Sequence, residues 1–216
     1  MRIRPLFPAL VCWILLVIGC ADKKTESGER GSPAPAEPKA SPPAAEGEEV
    51  AVIETGSGKI TLRFHDAAAP KTVAEFKRLV SKKFYDGTTF HRVIPGRLIQ
   101  GGDPLSRDAN PYNDGTGNSG IQLQAEFSKL QFKEGTVGLA RGEHDPNSGS
   151  CQFFICLARN RPWDGKYTAF AEVIDGIDVA RQISKAQTNP KAPARNKERP
   201  IREQTIAKVR LERRKL

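Results

Sequence analysis

The stretch Phe90-His91-Arg92-Val93-Ile94-Pro95-Gly96-Arg97-Leu98-Ile99-Gln100-Gly101-Gly102-Asp103 decides how this chain is read. It sets an aromatic ring, a permanently charged guanidinium and a carboxamide into a strand-like apolar run. Arg92 and Gln100 stand at an even spacing, so an unbroken strand would present both on one face. Pro95-Gly96 interrupts the run, which predicts two short strands joined by a turn, with both polar groups facing a common cleft. A hairpin whose arginine faces water would account for this stretch taken alone. The segments downstream decide for the cleft.

Those segments are Gly135-Thr136-Val137-Gly138-Leu139-Ala140-Arg141, then Asp145-Pro146-Asn147-Ser148-Gly149-Ser150-Cys151-Gln152-Phe153-Phe154-Ile155, then Trp163-Asp164-Gly165-Lys166-Tyr167-Thr168-Ala169-Phe170. With the first stretch, and in this order, they resemble the signature of the cyclophilins, the prolyl isomerases, over roughly residues 50–212. The resemblance implies a mainly β fold: a closed eight-stranded antiparallel β-barrel capped by two α-helices, with the substrate groove outside. It implies that Arg92 is the catalytic guanidinium and that Gln100 orients it or binds the substrate carbonyl. Leu98 and Phe154 would line the proline pocket, with Phe90 supporting from the core side. Ala140, Arg141 and Gln152 would meet the peptide backbone; Arg141 stands where many of the family have Asn. Trp163 and Tyr167 fall at the family's pocket Leu and His.

Arg97 departs from the pattern, because the signature has a pocket-lining Phe there. A buried, unpaired guanidinium is costly, so Arg97 must reach water or a carboxylate. Two expectations stay open: a remodelled pocket with reduced activity and a preference for acidic residues beside proline, or an Arg97 that points outward and changes nothing. Pro162 falls where the family has a Trp that contacts cyclosporin, so weak inhibition is expected.

The implied chemistry is rotation about an X–Pro amide. Resonance sets its barrier near ~18–20 kcal/mol, and no bond need be made or broken to lower it. A fixed donor aimed at the amide nitrogen in a water-poor groove binds the twisted state better than either planar one. Arginine suits this, being planar, rich in donors and always charged. Neither a cofactor nor a metal is expected. His65, His91 and His144 are scattered, and no CxxC pair suggests zinc.

Residues 1–19 read as a signal peptide, with Arg2 and Arg4 ahead of the apolar run Ala9 to Ile18, which is too short to span a bilayer comfortably. Val17-Ile18-Gly19-Cys20 resembles the bacterial lipoprotein processing site and implies lipidation of Cys20; an ordinary signal peptide is the alternative. Residues 20–49 carry Pro33-Ala34-Pro35-Ala36-Glu37-Pro38 and similar sequence, without aromatics or large aliphatics. Such a segment cannot offset its conformational entropy by burial, and it reads as a disordered tether. The expected product is an isomerase domain, residues 50–216, lipid-anchored in the bacterial cell envelope and facing the periplasm or exterior. Ala21 gives a slight leaning to the outer membrane.

Of 216 residues, 34 are basic and 25 acidic, and 28 basic against 18 acidic ones follow residue 49. A basic domain favours anionic headgroups, wall polymers or acidic clients. No motif points to nucleic acid. The expected partners are proline-containing unfolded or extended polypeptides, and the membrane through the lipid; no feature calls for more than a monomer. Cys151 and Cys156 stand at an odd spacing in one predicted strand and cannot pair with each other. The alternative function is a weakly catalytic or non-catalytic module that binds proline-containing segments, with Arg97 its best support. A third, a basic scaffold on an envelope partner, rests on charge and linker alone.

Locally, apolar–polar alternation around Gly56-Ser57-Gly58 predicts a hairpin. Thr72-Val73-Ala74-Glu75 matches a capping box opening an amphipathic helix over ~72–82. Further strands are expected near 89–94, 97–101, 135–140, 152–158, 167–173 and 205–212, with a second helix over ~176–186. The loop from Asp103 to Glu126 carries Asn110 to Gly115, which either reshapes one wall of the groove or is a passive insertion, the passive reading being preferred; Arg210 to Lys215 is read as a solvated end rather than a binding patch.

Overall fold

The alternation around Gly56 folds as expected into a hairpin of β1 (Glu48–Thr55) and β2 (Gly58–Phe64), with Thr55 opposite Gly58. The computed structural model describes residues 47–216. The expected signal peptide, Cys20 and nearly all of the tether therefore lie outside the described residues. β1 starts at Glu48, just ahead of the expected domain start. Val50 to Ile53 are fully buried, as are Ile60 and Leu62 opposite them. Each such large aliphatic contributes roughly 1.5–3 kcal/mol through removal from water.

The helix α1 (Pro70–Ser81) presents Val73, Phe76, Leu79 and Val80 to the core. It opens on proline, which is pre-set for a first helical turn. The expected capping box does not form, because Thr72 and Glu75 already lie inside the helix. The orphan amides are instead met from a distance: the Glu126 carboxylate accepts from Lys71 N (3.0 Å), Thr72 N (2.8 Å) and the Thr72 hydroxyl (2.7 Å). Glu75 pairs with Arg78 at 2.7 Å.

The remaining elements are β3 (Arg92–Ile94), β4 (Leu98–Gly101), β5 (Thr136–Leu139), β6 (Phe153–Cys156), β7 (Ala169–Asp175), α2 (Ile177–Ser184) and β8 (Ile206–Arg214). All strand pairs are antiparallel, in the order β3-β4-β6-β5-β7-β2-β1-β8. Phe76 joins Tyr85, Phe153 and Phe170 in an aromatic knot, and α2 adds Ala180 and Ile183 to the same core.

The sheet curls but does not close, which corrects the expected barrel to an open half-barrel. β3 and β8 end the strand order and share no ladder. At the seam, Gly87 and Phe90 donate backbone hydrogen bonds to the carbonyls of Ile206 and Gln204, and Thr89 faces Thr205 in a lone bridge. Further along, Val93 N donates to Glu198 O at 2.8 Å. The short β3 thus has its free edge covered by an irregular segment rather than a strand. β8 runs two residues past the expected strand, to Arg214, and within it Arg210 pairs with Glu54 and Glu212.

Candidate active site

Side-chain alternation on β6 divides two environments. Phe153 and Ile155 point into the main core, while Phe154 and Cys156 join a second apolar cluster with Phe132 and Ala169. The strand registers then align the functional groups. Arg92 on β3 sits opposite Gln100 on β4, Gln100 opposite Phe154 on β6, and Phe154 opposite Gly138 on β5. A guanidinium, a carboxamide and an aromatic ring thus stand in one cross-strand row on the outer face.

Hydrogen bonds run along this row. Arg92 donates from Nε to Glu198 Oε2 (2.5 Å) and from Nη1 to Gln100 Oε1 (3.3 Å). Gln100 Nε2 donates to Gln152 Oε1 (3.0 Å), and Gln152 Nε2 to the carbonyl of Gly117 (2.9 Å). Gln152 also holds the backbone of Ala140, whose N–H donates to its carbonyl at 2.9 Å. The Arg92 side chain remains 43% exposed, so its unused donors are open to a ligand.

Beside the row lies an aromatic floor. Phe154 stacks on Phe132 at 5.8 Å between centroids and meets Trp163 and Tyr167 edge-on at 5.0 and 5.8 Å. Asp164 secures the Trp163 turn by accepting from Phe132 N (2.8 Å) and from Arg159, and these bonds hold its carboxyl below the usual range. Cys156 belongs to this cluster, and burial pushes its thiol up to about 12, which leaves it no nucleophilic part. Cys151, also free, lies in the main core.

Two guanidinium groups edge the floor. Arg97 is exposed, with its head 5.9 Å from the Trp163 ring centroid. It therefore reaches water and an aromatic face, not the buried wall where the resembling family has Phe. Arg141 lies 4.3 Å from the Tyr167 centroid and donates to the carbonyls of Gly142, Glu143 and Lys166. Leu98 is buried on β4, and Phe90 is wholly inside the main core, where it meets Phe153 edge-on.

On the other side of Gln100 and Gln152 opens a cleft of about 510 Å³, bounded by Ala140, Arg141 and the loop residues Thr116 and Asn118. Of the two readings of this loop, the structure favours the one in which it supplies a wall. Asp103, fully buried, organises it by accepting from Leu105 N (2.8 Å), Gly115 N and Gly117 N (3.3 Å). The preceding part of the loop turns away and packs on the 187–203 segment, where Asp114 pairs with Arg199 and Asn196 Nδ2 donates to Pro111 O. His91 is buried against Gly115, and burial pushes its imidazole down to about 4, with the charge of Asp103 opposing.

All the predicted groove residues except Phe90 gather on this outer face. Three participants were not read from the sequence: Phe132, Asp103 and Glu198. Apolar–polar alternation through Leu130-Gln131-Phe132 and the Gly101-Gly102-Asp103 turn were usable signals for the first two; Glu198 had none.

The fold and the row define a groove on the outer face of a curled antiparallel sheet. The family model for cyclophilin type peptidyl-prolyl cis-trans isomerases matches residues 50–211, and the chain belongs to that family. It is 36% identical to the probable peptidyl-prolyl cis-trans isomerase of Brucella abortus over 164 residues, 74% of this chain and 83% of that one. It is 41% identical to a peptidyl-prolyl cis-trans isomerase of Synechococcus elongatus over 135 residues, 62% of this chain and 87% of the other. Among solved structures, a Cryptosporidium parvum cyclophilin type isomerase, crystallised in the presence of the dipeptide Ala-Pro, superposes with a TM-score of 0.67 at 25% identity. That match covers 76% of this chain and 99% of the other.

Proposed function

We propose that this protein accelerates X–Pro rotation by aiming Arg92 at the nitrogen of the twisting amide. As the amide leaves planarity its nitrogen regains a lone pair, and a guanidinium N–H fixed in the groove stabilises that state over both planar ones. The proline ring packs on Phe154, which the buried Phe132 backs from beneath, with Leu98, Trp163 and Tyr167 around it. Gln100 orients Arg92, while Gln152, Ala140 and Arg141 hold the peptide backbone. The cross-strand row Arg92–Gln100–Phe154 supports this most strongly, since it sets the donor beside an apolar floor. No step requires a proton transfer, a nucleophile or a cofactor.

The clients are proline-containing extended chains outside the cytoplasm, and acidic residues beside proline are favoured by Arg97 at the rim. The chain is tethered in the bacterial envelope by lipid on Cys20, with residues 21–49 as the spacer. The lipoprotein motif and the composition of the tether support this part. Relaxation of cis X–Pro peptides with the wild-type chain and with Arg92→Ala tests the proposal. Acceleration lost in the variant supports it; a folded wild-type chain without acceleration would favour a proline-segment binder.

A further inference from the structure

We infer that Glu198 is a positioning residue for Arg92. The inference rests on the isomerase reading of the groove. A guanidinium has five donors in one plane, and here two acceptors fix that plane from different edges: Glu198 Oε2 on Nε at 2.5 Å and Gln100 Oε1 on Nη1 at 3.3 Å. Gln100 alone would leave the head free to swing about its single contact. The carboxylate removes that freedom before a substrate arrives and leaves three N–H groups for the groove.

Glu198 is itself held in place by its surroundings. Its carbonyl accepts from Val93 N on β3 at 2.8 Å, one residue from Arg92. On one side of it, Asn196 donates to Pro111 O; on the other, Arg199 pairs with the buried Asp114. Pro200 disfavours helical backbone at Arg199 and faces Thr188 in a lone bridge. The segment therefore stays docked without the Glu198 side chain, and the carboxylate is spare for Arg92. With side chains 43% and 41% exposed, the pair contributes little to folding, so its use lies in orientation.

The test takes the full chain as wild type, Glu198→Ala and Glu198→Gln, reading kcat and KM separately with the Arg92 Nε–H resonance by NMR. Glu198→Ala is expected to lower kcat about tenfold with KM nearly unchanged, and Glu198→Gln, which keeps an oxygen acceptor, to recover most of that loss. The Nε–H signal should shift and exchange faster with water in Glu198→Ala alone. Wild-type kcat in Glu198→Ala, or an Nε–H signal indifferent to it, would overturn the inference. So would equal losses in both variants accompanied by a lowered Tm, which would mark a structural role. A wild-type chain without acceleration would instead overturn the isomerase reading, and the resonance would still report whether the pair holds Arg92.

Discussion

Gly138 and Phe154 face each other across β5 and β6 so closely that a Cβ on Gly138 would stand 2.3 Å from Cζ of Phe154. It would also stand 2.8 Å from Phe132 Cε1. The aromatic floor therefore occupies the space that any larger residue would need, and neither ring can flex away as a long aliphatic chain would. Gly138→Ala should displace Phe154 toward the groove, lowering kcat/KM roughly tenfold and stability by about 1–3 kcal/mol. Peptide isomerisation rates and urea midpoints measure both. An alanine variant with wild-type kcat/KM would show that the floor does not hold the proline.

The proposed preference for acidic residues beside proline rests on Arg97. Its head lies over Trp163 and open to water, so its effect on a substrate acts through screened charge. Peptides with Glu before proline should exceed those with Leu by about threefold in kcat/KM at low salt, with the ratio shrinking as salt rises. Arg97→Phe should abolish the difference and improve apolar substrates. Unchanged rates across substrates in that variant would make Arg97 a bystander.

Glu126 caps α1 through three hydrogen bonds, to Lys71 N and to the amide and hydroxyl of Thr72. A carboxylate at a helix N-terminus also meets the positive end of the dipole. Glu126→Ala should cost about 1–2 kcal/mol of unfolding free energy in urea melts. Glu75→Ala, by contrast, removes no cap.

These elements show what was legible in the sequence. The Arg92–Gln100 pairing could be read because strand side chains alternate and Pro95-Gly96 places the turn that sets the register. The inward faces of both helices followed from spacing in the same way. The cap of α1 was misread because Thr72 and Glu75 fit a local rule while the real partner, Glu126, lies 54 residues from Thr72. Glu198 could not be read at all, since its contact with Arg92 depends on how an irregular segment docks on the edge of β3. Closure of the sheet was equally non-local: it turned on whether β8 would pair with β3, and β8 runs along β1 alone.

His91 makes stability depend on pH. Burial pushes its folded imidazole down to about 4, against the ordinary 6.5 of the unfolded chain. Between those values the unfolded chain binds the extra proton, so stability is full above pH 6.5 and falls as the pH drops toward 4. The loss is on the order of 3 kcal/mol, from about 1.4 kcal/mol per pKa unit. Unfolding free energies from urea melts at pH 7 and pH 4.5 should differ by most of that amount. In His91→Asn this share of the slope should vanish; an unchanged slope would assign it to other groups.

Catalysis of X–Pro rotation should depend on a fixed planar guanidinium at position 92. The most direct measurement compares cis-to-trans relaxation of one proline peptide with the wild-type chain, Arg92→Lys and Arg92→Ala. The wild type should accelerate the relaxation, and both variants should lose roughly a hundredfold or more, because lysine keeps the charge without the planar fork. Arg92→Ala relaxing the peptide as fast as the wild type would contradict it.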